Sequence, residues 1–154
     1  MNNRRKLVIA LGASKLALAC ALFPAHAADK SLHIGILSSG SVQVRGGLEK
    51  AMLDGLHQQG YVEGKNLFIE RRYVSTRLTE SVPEYARELA GMKLDVIVTT
   101  CTPSTRAAKE ATTTTPIVMA AVSDPVGQKI IESLAKPGRN VTGLSSQAED
   151  LLAK

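Results

Sequence analysis

Two stretches of this chain share one grammar: an apolar β-branched run, a polar tip, then a residue pair that starts a helix. The first runs from Leu94 to Ala108. Val96, Ile97 and Val98 have the composition of a strand buried on both faces. Thr99 and Thr100 carry it to a tip, and Thr102-Pro103 reads as a helix start. Threonine can cap the first free N–H groups, and proline has no N–H to leave unpaired there. In the second stretch, Ile117 to Val122 is the strand, Ser123 the tip and Asp124-Pro125 the cap and first turn. Strands buried on both faces belong to a parallel sheet. Two neighbours of this kind deliver polar tips and helix N-termini to one edge, where open α/β folds bind ligands.

The flanking segments complete such a sheet. Leu32 to Leu37 reads as a first strand ending in Ser38-Ser39-Gly40-Ser41, followed by a helix from Val44 to Gln59 with Leu48, Met52 and Leu56 on one face. Gly60 stops it, and Leu67 to Tyr73 forms an edge-like strand marked by Glu70, Arg71 and Arg72. Ser81 and Glu84 form a capping-box pair for a helix that ends at Gly91. Another helix follows Pro103, and a further one is expected from Pro125 to Ala135. Lys136 to Asn140 then turns into a fifth strand, Val141 to Leu144, tipped by Ser145-Ser146. Strands alternating with helices give an α/β fold, a doubly wound parallel sheet of five strands with four helices, because each short connection crosses over right-handed.

The net charge of +5 suggests a nucleic-acid partner only until it is located. Arg4, Arg5, Lys6 and Lys15 lie in the first 27 residues, and the remainder carries 15 basic and 14 acidic side chains. Nucleic-acid binding therefore loses its electrostatic support. That first segment reads as an export signal, residues 1–27. It has a basic start, an apolar stretch from Leu7 to Phe23 and a cleavage site after Ala27, so a periplasmic location is expected. The stretch falls short of the ~20 residues of a membrane span, and Lys15 interrupts it, so no stable membrane insertion is expected after cleavage. A lipoprotein reading at Cys20 fits less well, since Ala17-Leu18-Ala19 is an imperfect lipobox. Removal of the signal leaves Cys101 with no internal disulfide partner.

Catalytic chemistry finds little footing. Neither a dinucleotide fingerprint nor a phosphate loop is present, and no nucleophile elbow occurs. His33 and His57 belong near the end of the sheet opposite Cys101, roughly 15 Å away along strands rising ~3.3 Å per residue. No catalytic residue, cofactor or metal site is therefore assigned. Asp95 reads as a solvated turn residue at that far edge, and Cys101 as a small, semi-buried side chain near the tip. Candidate ligand-binding residues are those of the strand tips and helix start: Ser38, Ser39, Thr100, Cys101, Thr102, Ser104, Thr105, Ser123 and Asp124. Asp124 is open to two readings, a helix cap alone or a ligand-facing carboxylate. A zwitterion such as an amino acid fits the group, with its carboxylate at the helix N-terminus between Thr102 and Thr105 and its ammonium at Asp124.

Several segments resemble the periplasmic substrate-binding proteins of ABC transporters, in the family that includes tryptophan- and tyrosine-binding members. They are Ile34 to Ser38, Gly60 to Leu67, Asp95 to Thr99, Thr114 to Val118, Ser123 to Gly127 and Asn140 to Ser145. The resemblance implies a type I periplasmic-binding-protein fold with two lobes closing on a small-molecule ligand. It also implies delivery to an ABC transporter permease, with no catalysis. Residues 28–146 correspond to the first lobe, and residues 147–154 to the start of a crossover toward a second lobe that this chain does not reach. Two other readings stay open on the residues alone: an enzyme domain of flavodoxin-like architecture, and a stand-alone interaction module or non-functional fragment.

Overall fold

The computed structural model describes residues 31–39, 42–74 and 81–146. The export signal, the Gly40-Ser41 tip and residues 147–154 lie outside the described residues, as does the side chain of Ser39. The elements are β1 (Leu32–Ser39), α1 (Val42–Gln58), β2 (Leu67–Val74), α2 (Val82–Gly91), β3 (Val96–Thr99), α3 (Thr102–Ala111), β4 (Ile117–Ser123) and β5 (Val141–Ser146). The strands form one parallel sheet in the order β2-β1-β3-β4-β5. The doubly wound α/β architecture is thus the one expected, with three helices among the described residues.

Chain direction decides which face each helix covers. From β1 to β2 the chain steps toward one edge; from β2 onward every step runs toward the other edge. Right-handed crossovers place the two sets of connections on opposite faces. On one face, α2, α3 and the segment after β4 seal a continuous core of Leu37, Val74, Leu89, Ile97, Ala108, Ile117, Met119, Ile130 and Val141. Gly35 permits the close fit, since a Cβ there would stand 2.7 Å from Leu94 Cδ1 and 3.2 Å from Leu89 Cδ2. Among the described residues the other face carries α1, with Met52, Leu53 and Leu56 half-buried against Ile34, Ile36 and Leu67.

Ions fasten α1 to the β2 edge. Arg71 donates from Nε to Glu49 Oε1 at 2.7 Å and from Nη1 to Glu63 Oε1 at 2.6 Å, and the Tyr73 hydroxyl donates to Glu49 Oε2. Arg71 holds the Glu63 carboxyl below its ordinary range, chiefly through the hydrogen bond. Burial raises the Tyr73 phenol above its ordinary value, and its bond to Glu49 adds to the rise.

Three expectations are corrected. The helix expected from Pro125 to Ala135 is absent: the segment is a chain of turns, with Lys129 at φ 57°. Gly127 and the β-branched Val126, Ile130 and Ile131 give weak helix propensity. Lys109 Nζ, from α3, donates to the carbonyls of Lys129 at 2.8 Å and Ile130 at 2.9 Å, supplying partners that helix hydrogen bonds would otherwise provide. The capping box at Ser81 does not form either, because Ser81 itself takes a helical conformation (φ −81°, ψ −9°) and its side chain makes no cap bond. Finally, Cys101 rather than Thr102 is the N-cap of α3, leaving Thr102 and Pro103 as its first two residues.

Candidate functional site

The C-terminal ends of β1, β3, β4 and β5 reach one edge together with the N-terminus of α3. Serine and threonine dominate this edge and have paired with one another across it. Ser38 and Ser39 belong to β1 itself, which stays paired with β2 as far as Ser39 opposite Val74. Ser38 is 1% exposed, and its Oγ lies 2.6 Å from Thr100 Oγ1 across the β1–β3 boundary. At the β4–β5 boundary, Ser123 Oγ lies 3.1 Å from Ser146 Oγ.

Beneath the edge, Thr99 Oγ1 and Thr105 Oγ1 are 2.7 Å apart, and the Thr105 hydroxyl lies 2.9 Å from the Cys101 carbonyl, which accepts from it. Cys101 Sγ donates to Ser104 Oγ at 3.1 Å. Ser104 and Thr105 have no exposed surface, so their side chains shape the turn from β3 into α3 from within. The Thr105 N–H already donates to Cys101 O at 3.0 Å. Of the first helical N–H groups, those of Thr102 and Ser104 lack an intrahelical acceptor, and Pro103 has none to offer. Those two amides and the positive end of the α3 dipole favour an anion at the Thr102 end.

Asp124 sits at the mouth of the turn that replaces the expected helix. Its φ of 41° is left-handed, and its Oδ1 accepts the Gly127 N–H at 2.9 Å. The carboxylate is exposed and caps a turn. Sequence reasoning missed Arg106 and Gln128. Arg106 Nη2 donates to Gln128 Oε1 at 3.1 Å, and both residues line a groove of about 430 Å³ with Thr102 and Pro103. The signal was weak: Gln128 belonged to a segment expected to be helical, and that segment is a chain of turns. Ser146 was placed at a tip, but its pairing with Ser123 depends on strand register.

The far edge is different in kind. There the Asp95 carboxylate accepts the His33 N–H at 2.8 Å, and the His33 ring stacks on Phe68 with centroids 4.9 Å apart. No group of three or more His, Cys, Asp or Glu suited to a metal ion occurs among the described residues. No helix among them is long and apolar enough to cross a membrane.

Comparison with known proteins agrees with this geometry. The chain is 37% identical over 99 residues to a tyrosine-binding protein of Clostridioides difficile (strain R20291), a match covering 63% of this chain and 28% of that protein. Among solved structures, a conserved domain protein from Vibrio cholerae superposes with a TM-score of 0.73 at 36% identity, over 80% of this chain and 42% of the other. An ABC domain from Streptococcus pneumonia, solved in complex with L-Trp, superposes with a TM-score of 0.66 at 29% identity, over 75% of this chain and 39% of the other. The chain thus spans less than half the length of each of these relatives. The family of ABC transporter substrate binding proteins matches residues 36–153, which take in the whole strand-end edge and all three helices but the first strand's start, and the chain belongs to that family.

Proposed function

We propose that this chain is the first lobe of an exported solute-binding protein that captures an amino acid at the strand-end edge for an ABC importer. The observation that carries the reading is the meeting of two kinds of group at that edge. The free amides of Thr102 and Ser104 favour a carboxylate, while the Ser38–Thr100 hydroxyl pair beside them offers neutral hydrogen bonds. Relatives named for tyrosine binding and solved with L-Trp support an aromatic amino acid as the ligand. No aromatic side chain stands among the edge residues named here, so these residues themselves offer the ring no stacking partner. Asp124, exposed and held by Gly127, suits the ammonium end.

One lobe offers one wall of a cleft, so binding to this chain alone is weak, and delivery to the permease belongs to a two-lobed protein. The remaining part of the proposal is export, with cleavage after Ala27. Family members are typically extracellular or periplasmic, which supports it. A periplasmic fraction yielding a mass that begins at Ala28 is the expected result, and an intact Met1 end in the cytoplasm overturns it.

The ligand reading is tested by nuclear magnetic resonance titration of the chain with L-tyrosine and with tyramine, which lacks the carboxylate. L-tyrosine is expected to shift the amides of Ser38, Thr100, Thr102 and Ser104, and tyramine to leave them in place. Equal shifts with both compounds overturn it. Asp124→Asn keeps an acceptor for Gly127 and removes the charge. A loss of about tenfold in L-tyrosine affinity places the ammonium at Asp124. Unchanged affinity confines Asp124 to its turn.

A further inference from the structure

Lys109 stands in the last turn of α3, where a cation ordinarily serves the helix's own final carbonyls. Here it reaches elsewhere. Its ammonium donates to the carbonyls of Lys129 at 2.8 Å and Ile130 at 2.9 Å, 20 and 21 residues further along the chain. A second tie starts three residues earlier on α3, where Arg106 Nη2 donates to Gln128 Oε1 at 3.1 Å. Arg106 and Gln128 are both exposed, so water competes for that tie, whereas Lys109 is half-buried.

The strap bears on Asp124 through the turn's own hydrogen bonds. The Ile130 N–H donates to the Pro125 carbonyl at 2.9 Å, and the Gln128 N–H to the Asp124 carbonyl at 3.0 Å. The Gly127 N–H then meets the Asp124 carboxylate at 2.9 Å, so closely that a Cβ on Gly127 would fall 2.0 Å from Asp124 Oδ2. Two non-glycine residues of this turn are left-handed, Asp124 at φ 41° and Lys129 at φ 57°. Such backbone persists only where its surroundings hold it. Ile130 and Ile131 anchor the far end of the turn in the core, and the Lys109 bonds fix its carbonyls and so its orientation.

We propose that Lys109 is a positioning residue for the ligand's ammonium group. It straps the turn after β4 to α3, so the helix whose N-terminus receives the carboxylate also fixes where Asp124 stands. Thr102 and Lys109 are separated by about 10 Å of one rigid helix. The spacing between the two ends of the site is thus set by a single element. Such preorganisation favours ligands that carry a carboxylate and an ammonium together. The inference rests on the proposed placement of the ammonium at Asp124.

Lys109→Met keeps most of the side chain's length and removes its donors. In hydrogen exchange of the free chain, the Gly127 amide is expected to exchange about tenfold faster or more. The Ile117 amide, which donates to the Asn140 carbonyl, keeps its rate. In titrations followed by nuclear magnetic resonance, the variant is expected to lose about five- to tenfold in L-tyrosine affinity. Its affinity for 3-(4-hydroxyphenyl)propionate, which is L-tyrosine without the ammonium, should be unchanged. Unaltered Gly127 exchange overturns the proposal, as does an equal loss of affinity for both compounds. So does an L-tyrosine affinity that falls with Asp124→Asn and not with Lys109→Met. If neither variant changes L-tyrosine affinity while the Gly127 amide is faster, the ammonium placement has failed, and the ligand role of Lys109 falls with it. A measurement on the unaltered chain guards against a variant that does not fold. The Lys109 ammonium hydrogens should exchange more slowly than those of the exposed Lys93, and equal rates overturn the strap.

Discussion

The two faces of this sheet are held by different forces. On the α2–α3 face, large aliphatic side chains are buried to the last few per cent, and Leu89, Ile97 and Ile117 have no exposed surface. On the α1 face the apolar contacts are half-open, and the helix is fastened at its flank by Glu49, Arg71, Glu63 and Tyr73. Apolar burial scales with area and ignores pH, while partly exposed ion pairs are weak and respond to salt and acid. One face should therefore behave as the folding core, and the other as the part of the fold more sensitive to salt and acid.

Truncation gives the largest contrast. Leu89→Ala on the sealed face should cost about 2–5 kcal/mol, whereas Leu56→Ala on the half-open face should cost clearly less, because its site already borders solvent. Urea melts of the two variants measure this, and equal losses would erase the distinction. Next is Gly143→Ala. Gly143 sits at φ 135° opposite Met119, and a Cβ would fall 2.0 Å from the Met119 carbonyl oxygen. A destabilisation of about 1–3 kcal/mol is expected, read from the midpoint of thermal unfolding. Thr99→Val removes a hydroxyl from the buried Thr99–Thr105 pair while Thr105 keeps the Cys101 carbonyl. It should cost about 1 kcal/mol.

The smallest effect belongs to the ions. Arg71 lowers the pKa of Glu63 below its ordinary value of 4.5. A carboxyl with a depressed folded value contributes stability above the unfolded value and loses it as pH falls through the folded one. Acidification through that window should loosen the amides around Glu63, in the turn that joins α1 to β2, in hydrogen exchange before those of α2 and α3. Glu63 is largely exposed, so the change should stay below about 1 kcal/mol. Simultaneous loosening of this turn and of α2 and α3 would count against separate fastening of the two faces.

The same contrast separates what was legible in the sequence from what was not. Val96-Ile97-Val98 and Ile117 to Val122 announce buried strands because their composition alone specifies the environment. That the strands run parallel follows from short crossovers of one hand, whereas their order was not legible in the sequence. The segment after Asp124 defeats such reading. Its helix-like stretch is overruled by Lys109, a residue distant in sequence whose ammonium captures two of its carbonyls. Ser38 and Ser39 were read as a tip because serine favours turns, but pairing with β2 extends the strand through them. At the candidate site, the residue types were legible and their pairing was not. Which hydroxyl faces which depends on register, and a one-residue slip would exchange every partner.

The Ser38–Thr100 pair also has a consequence for what can dock beside it. Either oxygen can be the donor in this bond. Rotating both hydroxyl hydrogens reverses the direction of the bond and moves no heavy atom. In one sense the pair turns a lone pair outward, in the other a hydrogen. The strand-end edge is thus a reversible contact, able to answer a carboxylate oxygen or an amine hydrogen with the same two side chains and no net charge.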